Sequence, residues 1–209
     1  PGVDTDLFCP GPSERTAFGL DDGDFVILFV GWFLPRKGLD FLLMALRELT
    51  DRSTLGGRPI KLLLAGSGPG RDRMEASIAR LGLAAHCVFA GSLPYRRMPA
   101  AFRSADVFVL PSIAMPEWQE QFGMSLLEAM ACGVPVIGAS SGAIPEIVGE
   151  AGLLCQPNDF ASLSDTLRRL LESDDLRGEL SVAARKRVSD RFTLERFANA
   201  LSLLYEKIA

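Results

Sequence analysis

Histidine is almost absent from this chain: its 209 residues contain one, His86. A zinc centre built on imidazole therefore has no ligand set, and His86 reads as a loop residue before a strand. The four cysteines, Cys9, Cys87, Cys132 and Cys155, are far apart and form no C-x-x-C pair. Three of them lie in apolar surroundings, which points to buried reduced thiols of a cytosolic protein rather than a disulfide framework. No apolar run approaches the roughly eighteen residues of a membrane span, and the opening residues do not read as a signal peptide. Repeats and low-complexity tracts are missing too. A formal net charge of −4 argues against a dedicated nucleic-acid binder and leaves room for a local basic pocket. What remains, 48% hydrophobic and 23% charged, is the composition of a globular protein with one well-buried domain.

One rhythm runs along the chain. "FVILFV" (25–30) is continuously apolar and rich in aromatic and β-branched residues, as a strand covered on both faces should be. "KGLDFLLMALRELT" (37–50) follows with apolar residues at helical spacing. "IKLLLA" (60–65), "CVFAG" (87–91), "DVFVLPS" (106–112), "PVIG" (135–138) and "GLLCQ" (152–156) are further strands. Helices are expected at 70–82, 98–105, 123–132, 142–148, 159–173, 175–190 and 193–208. Strands alternating with helices predict an α/β fold, a doubly wound parallel sheet. Such sheets bind ligands beyond the carboxyl ends of their strands.

The loops at those ends share a character: "GWFLPRKG" (31–38), "GSGPGR" (66–71), "GSLP" (91–94) and "PSIAMPEWQEQFG" (111–123). Glycines such as Gly31, Gly66 and Gly68 let a ligand approach the backbone. Arg36 and Lys37 have the charge to neutralise an anion, or are solvated surface cations. "GSGPGR" matches half of a dinucleotide fingerprint, and turn glycines explain it equally well.

The run "EQFGMSLLEAMACGVPVIG" (120–138) is more specific. Its charged residues are Glu120 and Glu128, and Glu128 is surrounded by Leu126, Leu127, Ala129, Met130, Ala131 and Cys132. A carboxylate in so apolar a helix is costly unless something pairs with it. The first turn, Gly123, Met124 and Ser125, offers unpaired amides and the positive end of the helix dipole, a site for an anion. Glu128 lies about five residues further, roughly 7–8 Å along the axis, which is about the span from a phosphate to the sugar beside it. Either Glu128 accepts bonds from a vicinal diol, or it is the structural partner of a buried arginine or backbone group. Chemistry alone leaves both open.

The spacing Glu120-x7-Glu128 resembles the Glu-x7-Glu motif of family 4 glycosyltransferases, retaining enzymes of the GT-B fold. The likeness extends through "PGVDTDLFCP", "VGWFLPRKG", "LLLAGSGP", "VFAGSLP", "SADVFVLPS" and "GAIPEIVGEAGLLC". The resemblance implies a linker remnant at 1–20, a Rossmann-like domain at 21–190 that binds the nucleotide-sugar donor, and a crossover helix at 191–209. It also implies an acceptor-binding N-terminal half that this sequence does not include. Glu128 would take the ribose hydroxyls and Glu120 the hydroxyls of the transferred sugar. Lys37 would contact the diphosphate, the amides around Phe122, Gly123, Met124 and Ser125 would hold phosphate and sugar, and the backbone near Leu93 the base.

Family members usually carry arginine directly after the first-loop glycine, where this chain has Trp32. Arg36 substitutes from along the loop, or the phosphate contact is weaker. Trp32 itself either touches ligand or packs at the loop base, and Trp118 either flanks the sugar or anchors its loop. The implied reaction is glycosyl transfer with retention, from a UDP-, GDP- or ADP-sugar, with Arg36, Lys37 and the helix N-terminus stabilising charge on the leaving diphosphate. No cofactor and no metal are expected, and no Asp-x-Asp run is present. The partners implied are the donor, the missing N-terminal half and a saccharide or lipid acceptor, without nucleic acid; the implied location is cytoplasmic, peripheral to the inner membrane face through the absent half. A non-catalytic nucleotide-sugar-binding module and a nicotinamide oxidoreductase are the rival classes. The latter wants G-x-G-x-x-G after the first strand, where only Gly31 and Gly38 stand.

Overall fold

The computed structural model describes residues 2–51, 57–115 and 117–208; Pro1, Pro116 and Ala209, in the expected linker, fourth loop and last helix, lie outside them. Six strands form one parallel sheet: β1 (Phe25–Val30), β2 (Ile60–Ala65), β3 (Cys87–Gly91), β4 (Val107–Leu110), β5 (Val136–Ala139) and β6 (Leu153–Cys155). Their spatial order is β3-β2-β1-β4-β5-β6. The order reverses between β1 and β4, the topological switch point at which doubly wound sheets bind ligands. Between the strands run α1 (Leu39–Asp51), α2 (Arg71–Arg80), α3 (Met98–Arg103), α4 (Met124–Ala131) and α5 (Ile144–Val148). After the last strand come α6 (Phe160–Glu172), α7 (Asp174–Arg191) and α8 (Leu194–Glu206).

Each strand divides its side chains between two cores. Phe25, Ile27 and Phe29 of β1 meet Leu42, Leu46, Leu163 and Leu167 of α1 and α6. Val26 and Leu28 point the other way, onto Phe102 of α3, Leu127 and Met130 of α4, and Ile144 of α5. That division is why the strands read as continuous apolar runs. Proline 111 lacks an amide for the ladder, so β4 stops at Leu110 rather than at 112. Gly38, in left-handed conformation at φ 74°, separates Lys37 from α1. The helix accordingly begins at Leu39, and Arg36 and Lys37 lie in a tight turn before it.

The stretch before β1 belongs to the second core: Val3, Phe8 and Leu20 are fully buried. The Val3 amide donates to Phe192 O (2.8 Å), and the Leu194 amide to Val3 O (3.1 Å). At the amino ends of the strands Asp106 accepts 2.7 Å bonds from Arg15 and from the Val26 amide, fastening the same stretch to the sheet. Helix α8 is held differently. None of its residues is buried, and Leu194, Phe197, Leu201, Leu204 and Tyr205 of its apolar stripe are exposed. With so little apolar burial its amides should exchange with deuterium well before those of β1 and β4. Protection equal to that of the sheet in a hydrogen-exchange experiment would contradict this.

Candidate active site

The loops after β1 and β4 meet directly across the switch point. Lys37 Nζ donates to Glu120 Oε2 at 2.7 Å, and both side chains are largely buried. Ser112 Oγ, wholly buried two residues past β4, donates to the same oxygen at 2.8 Å. The approach of the two loops depends on Gly38: a Cβ there would stand 1.8 Å from the carbonyl oxygen of Pro111. The loop after β5 closes the third side. Gly142, at φ 56°, would place a Cβ 2.2 Å from Glu120 O, and the Ala143 amide donates to that oxygen at 3.0 Å. Glu120 is thus held at its backbone and at one carboxylate oxygen.

Three residues on, Gly123 is the N-cap of α4, in left-handed conformation at φ 74° and with no capping side chain. The amides of Met124 and Ser125 have no protein acceptor among the described residues, so the helix opens on free donors at its positive end. Gly133 closes the helix as expected. At φ 74°, its amide donates to Met130 O (3.0 Å) while the Val134 amide donates to Ala129 O (3.0 Å), a Schellman cap.

Glu128 sits on α4 with 8% of its surface exposed, and no described residue gives it a hydrogen bond or an ion pair. The buried-arginine alternative fails on the arginines themselves. Arg185 donates to Phe8 O and Ala131 O, and Arg103 to Cys9 O. Desolvation by the apolar surroundings pushes the Glu128 carboxyl up from 4.5 to about 7. Its charge reaches Tyr95, whose phenol is raised by burial and then by Glu128 and Asp4.

Tyr95 follows a cavity of about 160 Å³ at the ends of β1, β2 and β3, lined by Gly31, Trp32, Gly66, Ser67, Ser92 and Leu93 among others. Gly66 packs on the Gly31 carbonyl and Gly68 on the Phe33 backbone, too close in each case for a Cβ. Ser92 Oγ donates to Ser67 Oγ at 2.9 Å on the same wall. Trp32 is 64% exposed at the edge of this cavity, so it does not pack at the loop base.

The positions singled out in the sequence lie on loops and helix starts that follow the strands' carboxyl ends, in separate local groups. Gly31, Trp32, Gly66 and Leu93 line the cavity, Lys37 meets Glu120, and Arg36 lies beside Trp118. Ser112 and Asn158 were missed. The signal for Ser112 was its place directly after a strand-ending proline. For Asn158 it was an asparagine in a Pro-Asn-Asp turn, which adopts φ 61°. Among the cysteines, Cys132 and Cys155 are buried and Cys87, on edge strand β3, is half-buried; burial pushes all three thiols up to about 12. His86 Nδ1 lies 2.8 Å from Ile60 O in a turn before β3. No group of metal-binding side chains occurs among the described residues. Nor is any described helix long and apolar enough to cross a membrane.

A six-stranded parallel sheet flanked by helices is the Rossmann-like fold of GT-B glycosyltransferases. The sequence profile described as "Glycosyl transferases group 1" matches residues 12–187, and the chain belongs to that family. It is 35% identical to a D-inositol 3-phosphate glycosyltransferase of Rhodococcus erythropolis over 100% of this chain and 48% of the relative. Sucrose-phosphate synthase from Thermosynechococcus elongatus superposes with a TM-score of 0.87 at 29% identity, over 99% of this chain and 51% of that one. The Anabaena protein HepE, solved in complex with UDP, superposes with a TM-score of 0.81 at 26% identity, over 96% and 56% of the two chains. The chain thus spans about half the length of the curated relatives it matches.

Proposed function

We propose that this chain is the donor-binding half of a retaining glycosyltransferase that moves a sugar from a nucleoside diphosphate to an acceptor. The observation that carries the reading is Glu128, a carboxylate kept in an apolar helix with no partner among the described residues. Folding gains nothing from such a group, whereas a ribose diol supplies the two donors it lacks. The base then falls towards the Trp32–Leu93 cavity, the diphosphate on the amides of Met124 and Ser125, and the transferred sugar beside Glu120. As the glycosidic bond breaks, negative charge grows on the diphosphate while the sugar becomes oxocarbenium-like. Lys37, Arg36 and the start of α4 oppose that charge with donors already in position.

The acceptor, a saccharide or a lipid, belongs in this reading to the other half of the protein, against which α8 packs. That half would also bring the enzyme to the inner face of the membrane. The binding step is tested by titration calorimetry of the 209-residue chain with UDP, GDP and ADP and their sugar conjugates. One base series should bind, with the diphosphate tighter than its nucleoside. No binding by any of the three would sink the donor-site reading. Robust multiple-turnover transfer by the chain alone would sink the idea that it is half of the enzyme.

A further inference from the structure

Arg36 has no carboxylate partner among the described residues, although it adjoins Lys37, whose ammonium is already paired with Glu120. Its guanidinium carbon instead lies 5.2 Å from the centre of the Trp118 ring, and Lys37 Nζ lies 5.6 Å from the same ring. The loop that carries Trp118 is fixed at three points. The Ile113 amide donates to Arg36 O at 3.0 Å. The Asn158 side chain accepts from the Ala114 amide and donates to Ala114 O, both at 3.2 Å. Met115 and Trp118 exchange backbone hydrogen bonds of 3.2 and 3.3 Å. Burial of an apolar residue does not account for this bracing, because the ring is only half-buried and rests on two cations.

We infer that Trp118 is a positioning residue that holds the Arg36 guanidinium at the sugar-and-diphosphate end of the site, making Arg36 a second cation for the diphosphate beside Lys37. This rests on the nucleotide-sugar reading above. The two cations differ in what they have to spend. Lys37 shares its charge with Glu120, while Arg36 has no carboxylate partner among the described residues and its planar fork matches phosphate oxygens. A freely moving arginine would lose rotamer entropy on capturing the anion; against the indole face part of that loss is already met, and cation–π attraction holds the group in place.

The test is a double-mutant cycle read by calorimetry on the 209-residue chain, with UDP and GDP as diphosphate probes and uridine and guanosine as controls. Arg36→Ala should weaken the preferred diphosphate about tenfold. Trp118→Ala should weaken it about three- to tenfold, Trp118→Phe by less, and neither should change nucleoside affinity. In the Arg36→Ala background Trp118→Ala should cost much less than it does alone, the remainder being its contact with Lys37. Additive losses, equal losses for nucleoside and diphosphate, or no loss at all would overturn the role given to Trp118. Melting curves, with Trp118→Phe as the conservative variant, separate loss of fold from loss of positioning. Should the unsubstituted chain bind no nucleotide, the donor-site reading itself fails; intact binding with additive losses removes only this inference.

Discussion

Glu128→Gln should leave the free protein nearly unchanged in stability at about pH 4, raise its melting temperature by several degrees at about pH 8, and weaken nucleotide binding at least tenfold. The stability part follows from the carboxyl's rise from 4.5 to about 7. A group raised on folding contributes fully below its unfolded value and loses that contribution as pH rises through the folded one. The cost of Glu128 to the folded state therefore grows as pH rises from about 4.5 to 7 and levels off above that at roughly 3 kcal/mol, and glutamine never incurs it. For a chain of this size each kcal/mol moves the melting temperature by about 2–4 °C. The binding part follows from the diol: glutamine keeps the shape, loses the charge and turns one acceptor into a donor, and bonds to charged groups are worth about 1.5–3 kcal/mol. The 2′-deoxy nucleotide is the control. It should bind the original protein more weakly, yet lose less than the ribose form on going to the variant. A collapse of the melting temperature with ribose and deoxyribose ligands still equivalent would make Glu128 structural.

Lys37→Ala should weaken diphosphate binding by one to two powers of ten and leave nucleoside affinity alone. An ammonium has three donors; one is committed to Glu120 at 2.7 Å, which leaves two for phosphate oxygens. Each charge-assisted bond is worth about 1.5–3 kcal/mol, a factor of roughly ten to a hundred. Glu120 keeps its bond from Ser112 in the variant, so the loop should hold its place. Calorimetry with the diphosphate and the bare nucleoside decides it. Equal losses for the two would point to a displaced loop or to another binding site.

The sheet was legible because β1, β2 and β4 are covered on both faces, so their apolar runs leave no ambiguity of period. Gly133 and Pro135 marked the end of α4 because a left-handed cap and a blocked amide are local events. The direct contact of Lys37 with Glu120 at the switch point was not legible. Lys37 and Glu120 are 83 residues apart, and their contact exists only because β1 and β4 are neighbours in space. For the same reason Ser112 passed as an ordinary strand-end residue. The burial of the stretch before β1 was not legible, since Val3, Phe8 and Leu20 are too sparse to show a period, yet all three are buried in the second core with residues of α3, α4, α5 and α7. Periodicity does report Glu128 as misplaced. Only the geometry, in which Arg103 and Arg185 spend their donors on carbonyls, removes the salt-bridge explanation.

The packing of Gly142 against the Glu120 carbonyl sets where variation in this corner is tolerated. With 2.2 Å between a notional Cβ and that oxygen, one added methyl would displace the Glu120 backbone, while Lys37 and Ser112 already meet at a single carboxylate oxygen of the same residue. The loops after β1, β4 and β5 therefore behave as a keystone joint without slack, in which no one backbone can shift unless the other two follow. On the donor-site reading, a lineage retuning this site for another sugar is left with the side chains on the joint's rim, Trp118 and Arg36 among them, and little freedom in the joint itself.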